Sequence, residues 1–142
     1  MTTKVLAPLF LAGLGLAQAP PAAVPGPKPV GTMSQLMVDV LFPTSNAIFY
    51  VREGPTNTKE WMELEFNAFV VGEVANILMS PQRAYDNDVW MKDAKLLQDV
   101  GLAAYKAAKA RDVKPIQALN DALYEACQSC HEHYRPGYRR RP

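Results

Sequence analysis

Cysteine occurs twice in these 142 residues, and both copies fall in the run Cys127-Gln-Ser-Cys130-His131. On a helix, positions i, i+3 and i+4 are surface neighbours, so the two thiols and the imidazole would project to nearly one side. That grouping suits covalent attachment of a haem. Two thiols add across its two vinyl groups, and the histidine directly after the second sits under the iron as proximal ligand. Other uses of the same residues are served less well. A structural zinc takes four Cys or His ligands, and the further candidate His133 does not complete a tetrahedral set with the others. A thioredoxin-like dithiol sits at a strand-to-helix turn, and this chain has no convincing strand pattern. His133 lies two residues past His131, on a different face of the helix, and is read as a surface residue.

The amino-terminal segment points outward from the cytoplasm. Lys4 supplies a small positive region, and Val5 to Ala17 is an apolar run interrupted by Pro8 and two glycines. Small residues follow at Ala17-Gln18-Ala19, the pattern of a signal-peptidase site, so residues 1–19 read as a cleaved signal peptide. The run is shorter than the roughly 18–20 apolar residues a spanning helix needs, and no stable membrane span is expected. Residues 20–31 are rich in proline, which fixes φ and removes amide donors, and read as an extended tether. Residues 32–135 are one domain's worth of chain.

Charge is nearly balanced. Of 15 basic and 14 acidic residues, loss of Lys4 with the signal leaves 14 of each. A general nucleic-acid footprint is therefore not expected. Residues 136–142 carry the local basic run Tyr138-Arg139-Arg140-Arg141, read as a solvated tail.

The domain reads as all-α, with four helices. Met33, Leu36, Met37, Val40 and Leu41 follow the spacing of a buried stripe, and Pro43 should kink or interrupt that helix, with Ile48 and Val51 continuing beyond it. Asn57 with Glu60 marks a second start, with Trp61, Leu64, Ala68, Val71, Val74 (or Ala75) and Leu78 facing inward up to Pro81. Asp86-Asn87-Asp88 precedes a third helix lined by Trp90, Ala94, Leu97, Gly101, Ala104 and Ala108. Its small residues would let a flat group or another helix approach closely. Asp112 caps a fourth helix with Pro115 in its first turn. The stripe Ile116, Leu119, Leu123, Cys127, Cys130 and Tyr134 runs through the cysteine motif and ends at Pro136-Gly137.

A four-helix pattern with Cys-x-x-Cys-His near its carboxyl end resembles the class II c-type cytochromes, the cytochrome c-prime group and its methionine-ligated low-spin relatives. The segment CQSCHEHYR, from Cys127 to Arg135, is similar to that family's CxxCHxxYR or CxxCHxxFR ending. Class I cytochromes c carry the motif near the amino terminus instead. The resemblance implies an antiparallel four-helix bundle, one covalent haem c held by Cys127 and Cys130, and export to the periplasm of a Gram-negative bacterium. It also leaves open a homodimer through the first two helices.

In that family the distal face of the haem is covered by a residue of the first helix. Met37, in the context Gln35-Leu36-Met37, resembles the relatives whose methionine binds iron, and Met33 one turn earlier is the weaker candidate. Both are also ordinary core fillers in the alternative reading, because methionine adapts to irregular gaps. Cytochrome c-prime sequences often carry a propionate-binding arginine one turn before the distal residue, where this chain has Met33. Arg135 resembles the arginine after the haem motif and is the candidate propionate contact; nothing in the sequence places Arg52 or Arg83 there.

Trp61, Glu73 and Asn76 read as core and surface residues. No set of nucleophile, base and orienting acid suggests hydrolysis, and no phosphate-binding glycine loop is present, so the chain is not read as an enzyme. The expected function is electron transfer with unidentified redox partner proteins, through iron held by His131 and Met37. The alternative is a five-coordinate protein of the cytochrome c-prime type that binds or senses nitric oxide or carbon monoxide.

Overall fold

Thr32 opens the first helix with a reciprocal cap that the sequence reading passed over. Its hydroxyl accepts from the Gln35 amide at 3.1 Å, and the Gln35 side chain accepts from the Thr32 amide at 2.9 Å. The computed structural model describes residues 26, 28–135 and 137. The signal segment 1–19, most of the tether 20–31 and, in the tail, Pro136 and residues 138–142 lie outside the described residues.

Helix α1 runs over residues 33–49 in three parts: Met33–Gln35 as α-helix, Leu36–Leu41 as π-helix and Phe42–Phe49 as α-helix again. Pro43 has no amide proton, and its ring collides with the carbonyl four residues earlier in a regular helix. The chain resolves this without the expected interruption. The turn before Pro43 widens, and the Phe42 amide donates to the Met37 carbonyl five residues back. The Thr44 hydroxyl donates to the carbonyls of Val40 and Leu41, at 2.8 and 3.1 Å. Ile48, beyond the proline, is fully buried, and Val51 packs at the edge of the core.

Helix α2 (Thr58–Leu78) starts where Asn57 accepts from the Glu60 amide at 3.1 Å. The Glu60 carboxylate reaches one residue further out than in a capping box, to the amide and hydroxyl of Thr56. Leu64, Ala68, Val71, Val74, Ala75 and Leu78 are buried as expected, while Trp61 is half-buried.

Helix α3 (Val89–Lys109) is capped from Asp86, whose carboxylate accepts from the Trp90 amide at 3.0 Å. The Tyr134 hydroxyl on the same carboxylate, followed by these backbone amides, holds the Asp86 carboxyl below its ordinary range. Helix α4 (Val113–Ala118) and helix α5 (Asn120–Tyr134) together form the fourth helical stretch, with a one-residue break at Leu119 that the sequence pattern did not signal. The Asp112 side chain caps α4 by accepting from the Lys114 amide.

The protein is all-α over the described residues. Helices α2 and α3 share the most extensive contact and run antiparallel, since Leu78 meets Trp90 at one end and Thr58 meets Arg111 at the other. Their backbones nearly touch: a Cβ built on Gly101 would lie 2.5 Å from the Gly72 amide nitrogen. Of the two uses open to the small residues of α3, close approach of a helix is what occupies Gly101. Helix α5 packs against α3, and α1 against α2. No helix among the described residues is long and apolar enough to cross a membrane.

Candidate cofactor site

Helix α5 carries Cys127, Cys130 and His131 to the wall of a cavity of about 440 Å³. Met37, Leu41 and Phe42 of α1 line the same space, with Leu78 of α2, Ala94 and Leu97 of α3, and Arg135 just past α5. A second cavity of about 300 Å³ shares Met37, Val38, Cys130, His131 and Arg135 and adds Met33, Trp90 and Tyr134. Ligand sites are typically ~300–1,000 Å³ and mostly apolar with a few placed polar groups, which describes these walls.

The α1 wall owes its shape to the π turn. Met37, Leu41, Ser45 and Phe49 all line the larger cavity, at a constant spacing of four. A spacing of four overshoots a 3.6-residue turn, so a plain α-helix would carry such a run steadily around its axis. The π-helical bonds close over five residues and absorb part of that drift. Met37 therefore stays in line with residues three turns further on.

The electrostatics of the three motif residues follow from burial. Cys127 and Cys130 are free thiols, each half-buried. Burial raises the Cys127 thiol; burial, then the Asp93 charge and Cys127, push Cys130 to about 11. A redox-active Cys-x-x-Cys works through a thiolate with a lowered pKa, so this pair is set the opposite way. Burial first, and the Arg135 cation second, depress the His131 imidazole. Both effects favour the neutral imidazole, the form that donates a lone pair to a metal.

Asp93 is the residue the sequence reading missed. It is only 4% exposed, on the inner face of α3. Its two carboxylate oxygens take the Ser129 hydroxyl at 2.7 Å and His133 Nδ1 at 2.8 Å. The signal was an acid one position before Ala94 on an otherwise apolar stripe, but nothing local names its partners on α5. His133 is accordingly more than a surface residue: half its side chain is exposed, yet its ring is held by a buried carboxylate.

Next to the motif, Tyr85, Trp90 and Tyr134 form an aromatic cluster with ring centroids 4.9–5.6 Å apart. The Trp90 indole donates to the Leu78 carbonyl at 2.7 Å, and the Tyr134 hydroxyl donates to Asp86. Neither Arg52 nor Arg83 lines either cavity; Arg83 donates to the Gly31 carbonyl at 2.9 Å. On the exposed side of α2 the Asn76 amide donates to Glu73 at 3.3 Å, and its carbonyl accepts from Gln98 of α3. Among the described residues no cluster of three or more His, Cys, Asp or Glu side chains is arranged to hold a metal ion by itself.

The donor chemistry fits a haem: two thiols, a neutral imidazole and a thioether surround one largely apolar space. Compared with protein-family profiles, with characterised proteins and with solved structures, the chain matches none.

Proposed function

We propose that this protein is a c-type cytochrome of the class II kind, a periplasmic electron carrier folded as an antiparallel four-helix bundle. The observation that carries the reading is that Met37 of α1 and His131 of α5 line the same cavity as both cysteines. These residues are about ninety positions apart in sequence, and a chance Cys-x-x-Cys-His would have no reason to face a methionine across an apolar space.

Bound haem would supply a one-electron iron couple. The chain's own contributions are separate and additive in kind. Cys127 and Cys130 would tether such a group, and His131, whose neutral form burial favours, and Met37 would be the side chains to hold its iron. Soft methionine sulfur favours the ferrous form and raises the potential. Leu41, Leu78, Ala94 and Leu97 exclude water, which limits reorganisation when charge changes. Arg135, which lines both cavities, would offer a cation to the propionates of such a group.

Absorption spectra of the oxidised and reduced protein, expressed with haem-maturation machinery, test this directly. The expected result is a covalently attached, low-spin haem that acid-acetone leaves on the polypeptide. Extraction of all colour, or an apoprotein mass, would defeat the assignment. A high-spin protein that binds nitric oxide or carbon monoxide quickly would replace the carrier by the gas-binding alternative.

A further inference from the structure

Asp93 presents an unusual arrangement for a buried carboxylate. Burying an ionised carboxyl is costly unless hydrogen bonds and charge compensate it. Here both oxygens are engaged by one neighbouring helix, and by residues one turn apart on it: Ser129 at 2.7 Å and His133 at 2.8 Å. Those two positions bracket Cys130 and His131. The carboxylate itself lines the larger cavity together with Cys130 and His131.

Two anchors one turn apart on a helix do what a single anchor does not. One bond leaves a helix free to pivot about the contact, whereas bonds at i and i+4, neighbours on one helical surface, fix both its position and its tilt there. Shifting or tilting α5 at that point would displace Cys130 and His131 with it, because Ser129 and His133 flank them on the same helix. Tyr134, one turn beyond Cys130, adds a further hold on α5 through its ring contacts with Trp90 and Tyr85 and its hydroxyl bond to Asp86.

We infer that Asp93 is a positioning residue, which clamps α5 against α3 through Ser129 and His133 and so sets how Cys130 and His131 enter the cofactor cavity. The inference rests on the haem reading given above. It assigns to α3 a role in ligand geometry that the motif alone does not contain.

Three variants of the full chain, loaded with haem, test it by the ferric electron paramagnetic resonance spectrum, which reports axial-ligand geometry, alongside thermal melting. Asp93→Ala removes both anchors and should shift or broaden the g-values. Ser129→Ala combined with His133→Ala removes the same bonds from the other side and should give the same altered spectrum. Asp93→Asn deletes the charge but keeps both bonds, its oxygen accepting from Ser129 and its amide donating to the other tautomer of His133. It should return the wild-type g-values. Wild-type g-values in Asp93→Ala, even with a lowered melting temperature, would reduce Asp93 to a packing residue and overturn the inference. An altered spectrum in Asp93→Asn equal to that of Asp93→Ala would do the same, since charge rather than anchoring would then be responsible. If Asp93→Ala does not accumulate, Ser129→Ala alone decides, with an unchanged spectrum counting against. A wild-type protein that carries no covalent haem defeats the underlying reading and this inference with it, a result distinct from loaded but insensitive variants.

Discussion

Methionine 37 is the residue on which the choice of function turns. It is half-buried on the π-helical part of α1 and lines both cavities beside His131, whereas Met33 lines only the smaller one. Replacing Met37 with leucine keeps volume and apolarity but removes the sulfur, so packing should change by less than about 1.5 kcal/mol. The spin state should change outright. Met37→Leu is expected to give high-spin iron that binds carbon monoxide readily, and Met33→Leu to leave the low-spin spectrum nearly intact. Equal and negligible effects of the two substitutions on the absorption spectrum would assign both side chains to the core.

At the scale of elements, two local departures from regular helix carry the arrangement. The first is the π turn before Pro43, which aligns Met37 with Leu41, Ser45 and Phe49 on the cavity wall. Pro43→Ala restores an amide and relieves the ring clash, so the segment can relax toward a regular α-helix. That relaxation would rotate Met37 away from the line, and the low-spin fraction of the loaded protein should fall although no cavity-lining side chain is altered. Retention of the full low-spin signal would separate the π turn from ligand placement. The second departure is the contact of Gly101 with Gly72. Alanine in place of glycine inside a helix normally stabilises by roughly 0.5–1 kcal/mol. Here the added methyl would lie 2.7 Å from the Gly72 Cα, against backbone that has no rotamer to change. Gly101→Ala should therefore destabilise by about 1–3 kcal/mol, the usual range for overpacking, read as a lower urea midpoint.

For the whole molecule, the cavity lies among α1, α2, α3 and α5, so a group bound there would touch four helices at once. Anything that binds the folded state and not the unfolded one stabilises it. The double variant Cys127→Ser/Cys130→Ser, unable to hold haem covalently, should melt at a lower temperature than the loaded wild type and lose its colour on acid-acetone treatment. An equally stable, equally coloured double variant would contradict covalent attachment. Export belongs to the same scale, since the expected signal and tether precede the first described helix, capped by Thr32. Amino-terminal sequencing of periplasmic material should find a chain starting near Gln18 or Pro20. An intact Met1 recovered in the membrane fraction would favour an uncleaved anchor.

Helix content was legible in the amino-acid order because it depends on local quantities: apolar spacing, and capping side chains at Asn57 and Asp112. The grouping of Cys127, Cys130 and His131 was legible for the same reason, since four residues of helix settle their relative directions. Other features required the folded chain. The π turn is a compromise between Pro43 and the continuing stripe that spacing alone does not choose. The break at Leu119 has no proline or glycine to announce it. Whether the small residues of α3 admit a cofactor or a helix depended on which element came to lie against Gly101. Asp93 shows the limit most plainly: an acid on an apolar stripe signals that a partner must exist, but Ser129 and His133 lie 36 and 40 positions away. Short-range order is written in neighbouring side chains, whereas the pairing of groups far apart in sequence is decided by how helices pack.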